Sequence, residues 1–334
     1  MSRDRSPRRL RRLRRIDRRV LIAASATALS LTASGCVVVH GEREVLPSAT
    51  RAEAARALEE FTSAYNAADK AYDSSLDADY VTGALGDIDS ARLKAGSVTH
   101  PDGNPAHTPL ELSDPEFTIP KKAGWPRWFI ADATANKGGS AHWLFVFTRD
   151  GLDEPFQAAY LTLVPPDDVP RFKTDQDGWA EEIPANSAQL AVSPKDLSQD
   201  YARYLDDGEG EAFADGAHTS GWRAQRQKDA SKPGRATQYI DESLTGGDHA
   251  PLALRTADGG AAVFFATRHY QKQTAATGTA LPTTPSIEAL MTGEVKQSLT
   301  LEYVSNEIAL DPAGNGGRVT VLSRIQGLTA AKGE

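Results

Sequence analysis

Five carboxylates, Asp73, Asp77, Asp79, Asp87 and Asp89, crowd one short stretch of the chain. A pocket carboxylate with a raised pKa is the usual equipment of a general base, but a run of acids beside a helix end also serves as an ordinary solvated face. The seven histidines, His40, His100, His107, His142, His218, His249 and His269, have no two at metal-ligand spacing. Asp175, Asp177 and Gly178 mimic part of a calcium loop. Aligned on that glycine, Lys173 takes the first ligand position and Pro184 the place of the bidentate glutamate, so the segment reads as a hairpin turn. Phosphate-loop, nucleophile-elbow, Ser-x-x-Lys and His-Glu-x-x-His motifs are all missing, and Gly208-Glu209-Gly210 lacks the third glycine of a dinucleotide turn. The sequence therefore predicts no metal, no cofactor and no catalytic residues.

Aromatic side chains are the richer supply. Alternation along Trp143, Phe145 and Phe147 puts all three on one face of a strand. There they either fill a core or, with a neighbouring arginine at the rim, line an apolar ligand pocket. The residues that would form such sites are Trp128, Trp143, Phe145 and Arg149 in one half and Trp222 and Arg268 in the other.

Cys36 is the sole cysteine. Ten arginines lie between Arg3 and Arg19, and an apolar stretch runs from Val20 to Leu31. That stretch fits a signal-peptide core of roughly 7 to 15 residues and falls short of the roughly 20 that a spanning helix needs. Ala33, Ser34 and Gly35 before Cys36 resemble the bacterial lipobox, with alanine at Ala33 where leucine is commoner. The resemblance implies cleavage after residue 35 and a diacylglyceryl group on the Cys36 thiol, which anchors the chain to the outer face of the cell membrane. Asp17-Arg18-Arg19-Val20-Leu21 also resembles a twin-arginine export signal. Two or more acyl chains hold a protein stably at a bilayer.

Residues 1–35 contain ten basic and two acidic residues, so the chain totals of 37 and 45 become 27 and 43 in the body, a formal net of −16. An acidic body repels nucleic acid, and no nucleic-acid partner is expected. With Cys36 committed to lipid, no thiol remains for a disulfide or a nucleophile.

The elements that must position these residues can be read in order. Residues 36–49 form a short tether. Thr50 and Glu53 make a capping box, and Leu58, Phe61, Tyr65, Ala68 and Tyr72 follow on one helical stripe. A Pro-rich loop over Thr99 to Pro120 precedes three strands, Trp128 to Thr134, Ala141 to Arg149 and Phe156 to Val164. Ser193, Pro194 and Asp196 then open a second helix with Leu197, Tyr201, Tyr204 and Leu205 on one face. The chain ends in strands Gln297 to Leu310 and Arg318 to Ile325.

Ordered echoes link the halves. Thr82-Gly83 to Gly96 matches Ser220-Gly221 to Gly234 in length, Phe147-Thr148-Arg149 matches Ala266-Thr267-Arg268, and Tyr160-Leu161-Thr162-Leu163 matches Ser298-Leu299-Thr300-Leu301. They predict an internal duplication. The expected fold is α+β, with two similar domains in tandem at 50–190 and 191–334, each an N-terminal helix packed on a curved antiparallel sheet. This pattern resembles the cone-shaped nuclear transport factor 2-like fold. The whole chain also resembles the secreted lipoproteins of uncharacterised function found in high-G+C Gram-positive bacteria. The expected function is noncatalytic binding of an envelope protein or a small apolar ligand. An enzyme with a pocket carboxylate and an assembly factor of an envelope complex are the alternatives.

Overall fold

The computed structural model describes residues 44–208, 211–314 and 316–334. The leader and Cys36 lie outside the described residues. Among those described, three sheets and five α-helices make an α+β fold.

Helix α1 (Arg51–Ala71) starts where the sequence places it. The Thr50 hydroxyl accepts from the Glu53 amide at 3.1 Å, and the Glu53 carboxylate accepts from the Thr50 amide at 2.8 Å. Leu58, Phe61 and Ala68 of the predicted stripe are buried. Tyr72 ends the helix in the left-handed region, at φ 53°. Helix α2 (Gly83–Thr99) has no apolar stripe to announce it. Its buried side is made mostly of small residues, Gly83, Ala84, Ala91, Ala95 and Gly96, which let it wedge closely against its neighbours. A β-carbon on Gly96 would stand 2.2 Å from the Tyr72 ring, so glycine there keeps the ring flush against α2.

The first large sheet runs β2 (Leu112–Thr118), β4 (Arg127–Ala135), β5 (His142–Arg149), β6 (Gln157–Val164), all antiparallel neighbours. Three of these match the predicted strands closely. Strand β2 falls inside the segment expected to be loop, because Leu112, Ser113 and Glu116 to Thr118 find partners along β4 while the register shifts past Asp114 and Pro115. Such a proline is tolerated at a sheet edge, where no ladder amide is needed.

A small sheet joins β1 (Leu46–Pro47), β3 (Pro120–Lys122) and β7 (Ala180–Glu181). The end of the expected tether is thus a paired strand, held further by the Arg127 guanidinium donating to the Leu46 carbonyl at 3.1 Å.

The second half repeats the order of two helices, α3 (Pro194–Asp207) and α4 (Ser220–Asp229), followed by antiparallel strands. Ser193 precedes α3 as expected, but its hydroxyl donates to the Ala185 carbonyl and makes no cap bond. After the two-residue β8 (Ser231–Lys232) come β9 (Arg235–Leu244), β10 (Leu252–Arg255), β11 (Ala261–Ala275), β12 (Met291–Gly293), β13 (Ser298–Asp311) and β14 (Thr320–Gly333). The sheet order is β12-β14-β13-β11-β9-β8, with β10 added to β11. Helix α5 (Pro285–Leu290) lies just before β12. Strand β14 continues to Gly333, past the predicted end at Ile325, across a bulge opposite Glu302 and Tyr303.

The residues Arg43–Glu334 form one unit by contact. Trp128, Ile130, Leu144, Val146 and Tyr160 on one face of the first sheet pack with Leu254, Ala262, Phe264, Val304 and Ile308 on one face of the second. The boundary expected between 190 and 191 therefore separates two sheets that share a core. The other face of the first sheet packs on α1 and the other face of the second on α3.

Candidate functional site

The six residues proposed from sequence to touch ligand fall in four places. Phe145 and Trp143 face α1. Phe145 is fully buried with Phe61 at 5.2 Å and Trp143 at 6.0 Å between ring centroids, and Phe129 stacks on Phe147 at 5.0 Å. Arg149 lays its guanidinium over Phe156, 4.3 Å from the ring centroid. Side chains fill this face. Trp128 points the opposite way, into the core shared by the sheets, where its indole donates to Glu182 Oε1 at 2.7 Å. Trp222 sits on α4 and Arg268 on the second sheet.

The face of the second sheet that meets α3 begins in the same manner, with Val263 and Phe265 against Leu197 and Tyr201. Two residues further along β11 it turns polar. Thr267, His269, Ser305, Glu307 and Arg324 come from three adjacent strands, and all but Arg324 are buried throughout. Arg324 has a guanidinium arm with only 4% of its side chain exposed, and its Nε lies 3.3 Å from Glu307 Oε1. Thr267 donates to the same oxygen at 2.8 Å. Burial pushes the Glu307 carboxyl up to about 8, against the pull of Arg324. Burial and then the positive charges of Arg324 and Arg226 push His269 down to about 2, so its ring is neutral in ordinary buffers. A neutral ring can accept from Arg324 Nη2, 3.2 Å from His269 Nδ1, and it stacks on Tyr303 at 4.9 Å.

Helix α4 roofs this cluster. Trp222 holds its ring 4.7 Å from the Arg324 guanidinium and 5.1 Å from that of Arg226. Arg226, in turn, grips Asp241 of β9 in a bidentate pair, Nη1 to Oδ2 at 2.5 Å and Nη2 to Oδ1 at 2.9 Å. Beside this pair is a cavity of about 220 Å³ bounded by Arg223, Tyr239 and Asp206.

The acidic stretch of the first half divides into buried and exposed members. Asp77 and Asp89 are buried, whereas Asp73 and Asp79 face solvent. Burial first, and then the Asp89 carboxyl beside it, pushes Asp77 up to about 8. Asp89 accepts from Arg92 Nη2 at 2.8 Å, and Asp69 takes the other end of that guanidinium and His107. Arg92 thus ties α2 to Asp69 of α1, with its own side chain partly exposed and the carboxylates beneath it buried. Asp175 Oδ1 accepts from the amides of Asp177 and Trp179 while Oδ2 holds Lys121, so the mimic of a calcium loop is a turn, as the sequence predicts. Among the described residues no three or more of His, Cys, Asp and Glu are grouped to hold a metal ion.

Arg268 lies on the shared-core face of the second sheet, beyond the edge of the first, where α2 crosses over. Here is a cleft of about 760 Å³. One wall is the outward side of α2, with Asp87, Ser90, Lys94 and Ser97 at spacings of three, four and three. The other wall carries Arg268, Glu302 and Thr329, with Arg268 Nε 3.2 Å from Glu302 Oε1. Tyr72 and Asp73 close one end and Leu290 of α5 the other. Sequence reasoning found Arg268 and the acid Asp87 but missed Lys94, Ser97 and Glu302, because α2 carries no periodic signal to say which of its sides is free.

Residues 45–333 match the family described as Domain of unknown function (DUF8094). The chain belongs to this family. It is 70% identical over its whole length, and over the whole of the relative, to an uncharacterized lipoprotein of Streptomyces coelicolor. It is 60% identical, again with full coverage of both chains, to an uncharacterized lipoprotein of Streptomyces avermitilis. A second Streptomyces coelicolor uncharacterized lipoprotein is 26% identical across 95% of this chain and 94% of its own. The resemblance to bacterial lipoproteins of uncharacterised function is thereby met, and these relatives imply a membrane-anchored, extracytoplasmic location. No solved structure matches the chain.

Proposed function

We propose that this family member is a noncatalytic binding protein held on the outer face of the cell membrane by lipid on Cys36, and that the cleft between α2 and the second sheet is its binding site. The observation that carries this reading is the cleft itself. It is an open cleft of about 760 Å³ bordered mainly by charged and hydroxyl side chains contributed by both halves of the chain, within the range of roughly 300–1,000 Å³ found for ligand sites. Its lining is polar, so the ligand is polar in place of the apolar one expected from the aromatic residues, whose faces are filled. The groups with the most displaced pKa values, Asp77, Glu307 and His269, are buried and none of them lines the cleft, which supports binding over catalysis there. The like order of two helices and antiparallel strands in 50–190 and 191–334 supports an ancestral duplication of a cone-type unit of the nuclear transport factor 2-like kind. The leader and Cys36 supply the anchor, and no helix among the described residues is long and apolar enough to cross a membrane.

A photo-reactive amino acid placed at Ser97 in the full-length protein in its native envelope tests the site. Illumination is expected to give adducts from Ser97 and none from the exposed control position Ile240, and Lys94→Glu with Arg268→Glu is expected to abolish them. Equal labelling at both positions would retire the cleft as a binding site.

A further inference from the structure

We propose that the cleft takes an oligosaccharide, an inference that rests on the binding reading above and narrows it to a ligand class. Acids and bases are mixed in the lining: Asp87 and Lys94 share the α2 wall, Asp73 lies beside Tyr72, and Glu302 stands beside Arg268. Neither sign dominates, so the cleft has no field to draw a phosphate or a strongly charged polymer. Among the described residues Lys94 makes no ion pair, which leaves its ammonium as a donor at the middle of the helical wall, while Ser97 turns its hydroxyl to the Lys94 carbonyl.

The apolar part of the lining comes from Ala91, Leu290, Val304 and the Tyr72 ring, and the three aliphatic residues make no deep pocket of the kind that receives the aromatic or arginine anchor of a protein partner. A sugar hydroxyl donates and accepts at once, as this mixed lining requires, whereas a peptide backbone offers one role per group. Tyr72 adds the remaining element of such a site. Its ring is pinned flat on Gly96 and flanked by His100 at 6.1 Å, so a rigid aromatic surface borders the polar groups without having to be ordered on binding. Most of the lining is carried by a helix and by long strands, which hold donors and acceptors at fixed separations.

The test uses full-length protein in detergent micelles on an array of neutral and acidic oligosaccharides of two to six rings, with an array of mixed-charge peptides alongside. Calorimetry then measures the best-retained glycan against Ser97→Trp and Lys94→Ala, both at exposed positions on α2. The expected result is glycan retention with affinity lowered tenfold or more by either substitution. Retention of peptides alone, or of glycans with affinity untouched by both substitutions, would overturn the assignment. If no glycan binds while Ser97 adducts still form in the envelope, the ligand class fails and the binding site stands. If the adducts are absent as well, both fail.

Discussion

The outer faces of the two large sheets are built alike and filled differently. Against α1 the first sheet presents Phe129, Phe145 and Phe147, packed around Phe61. Against α3 and α4 the second presents Val263 and Phe265, then gives way along the same strand to Thr267 and His269, with Glu307 and Arg324 beside them. One face is held by area removed from water, about 25 cal/mol per Å² of apolar surface. The other buries charges whose desolvation must be offset by close pairing. The contrast teaches that α4, with Trp222 half-buried and only Arg226 fully buried, owes its seat to electrostatic grip where α1 owes its seat to packing.

Breaking each grip in turn sharpens this contrast. Arg226→Ala strands Asp241 in a buried site and is expected to cost about 3–5 kcal/mol, read from denaturant melts, with loss of amide protection confined to α4 at lower denaturant. Phe147→Ala is expected to cost a similar 3–5 kcal/mol through the cavity it leaves, but with loss of protection in α1. The double substitution Arg226→Met with Asp241→Leu separates the two mechanisms. It is expected to restore stability to wild type or to exceed it by about 1–4 kcal/mol, and a double variant as unstable as Arg226→Ala would show that the pair is not what seats α4.

Acidity gives a finer distinction. Glu307 in the second half and Asp77 in the first are both raised from ordinary carboxylate values to about 8. The native state then holds protons that the unfolded chain has released, so these groups make stability fall as pH rises from about 4 to about 8. His269, lowered to about 2, acts with the opposite sign. The unfolded chain takes its proton below about 6.5, and stability is lost as pH falls from there toward 2. Glu307→Gln and Asp77→Asn are each expected to flatten the decline between pH 5 and 8 in thermal melts. A decline left unchanged by both would show that neither carboxyl retains its proton when folded. The smallest effect belongs to Thr50→Ala, which removes the α1 cap at an expected cost of about 1 kcal/mol and leaves the protection of α4 untouched.

Where the sequence was legible, the signal was a strong local pattern. The capping box at Thr50 and Glu53 and the alternation along β4 to β6 are written in residue types that have few other uses. Helix α2 was hidden because its buried side is glycine and alanine, which produce no stripe. The buried polar cluster was hidden for a different reason. Thr267, His269, Ser305 and Glu307 occupy alternate positions of strands, the pattern of a solvated face, and only the arrival of α4 overhead turns that face inward. Of the six aromatic and arginine residues proposed as ligand contacts, Arg268 alone lines the large cleft, because the strand alternation that groups side chains by face cannot tell whether another element covers that face.

The core shared by the sheets bears on how the chain matures after export. Trp128, Ile130, Leu144, Val146 and Tyr160 are covered by residues from Leu254 to Ile308, which emerge from the export channel long after them if the N-terminus leads. Contacts so distant in sequence slow folding and leave a partly folded chain with its apolar surface exposed. In a chain threaded unfolded, the first sheet waits, uncovered, for its partner to be translocated, and in that interval it is open to aggregation, to proteolysis and to any chaperone stationed at the outer surface; a chain exported by a twin-arginine route would close this core before it crosses.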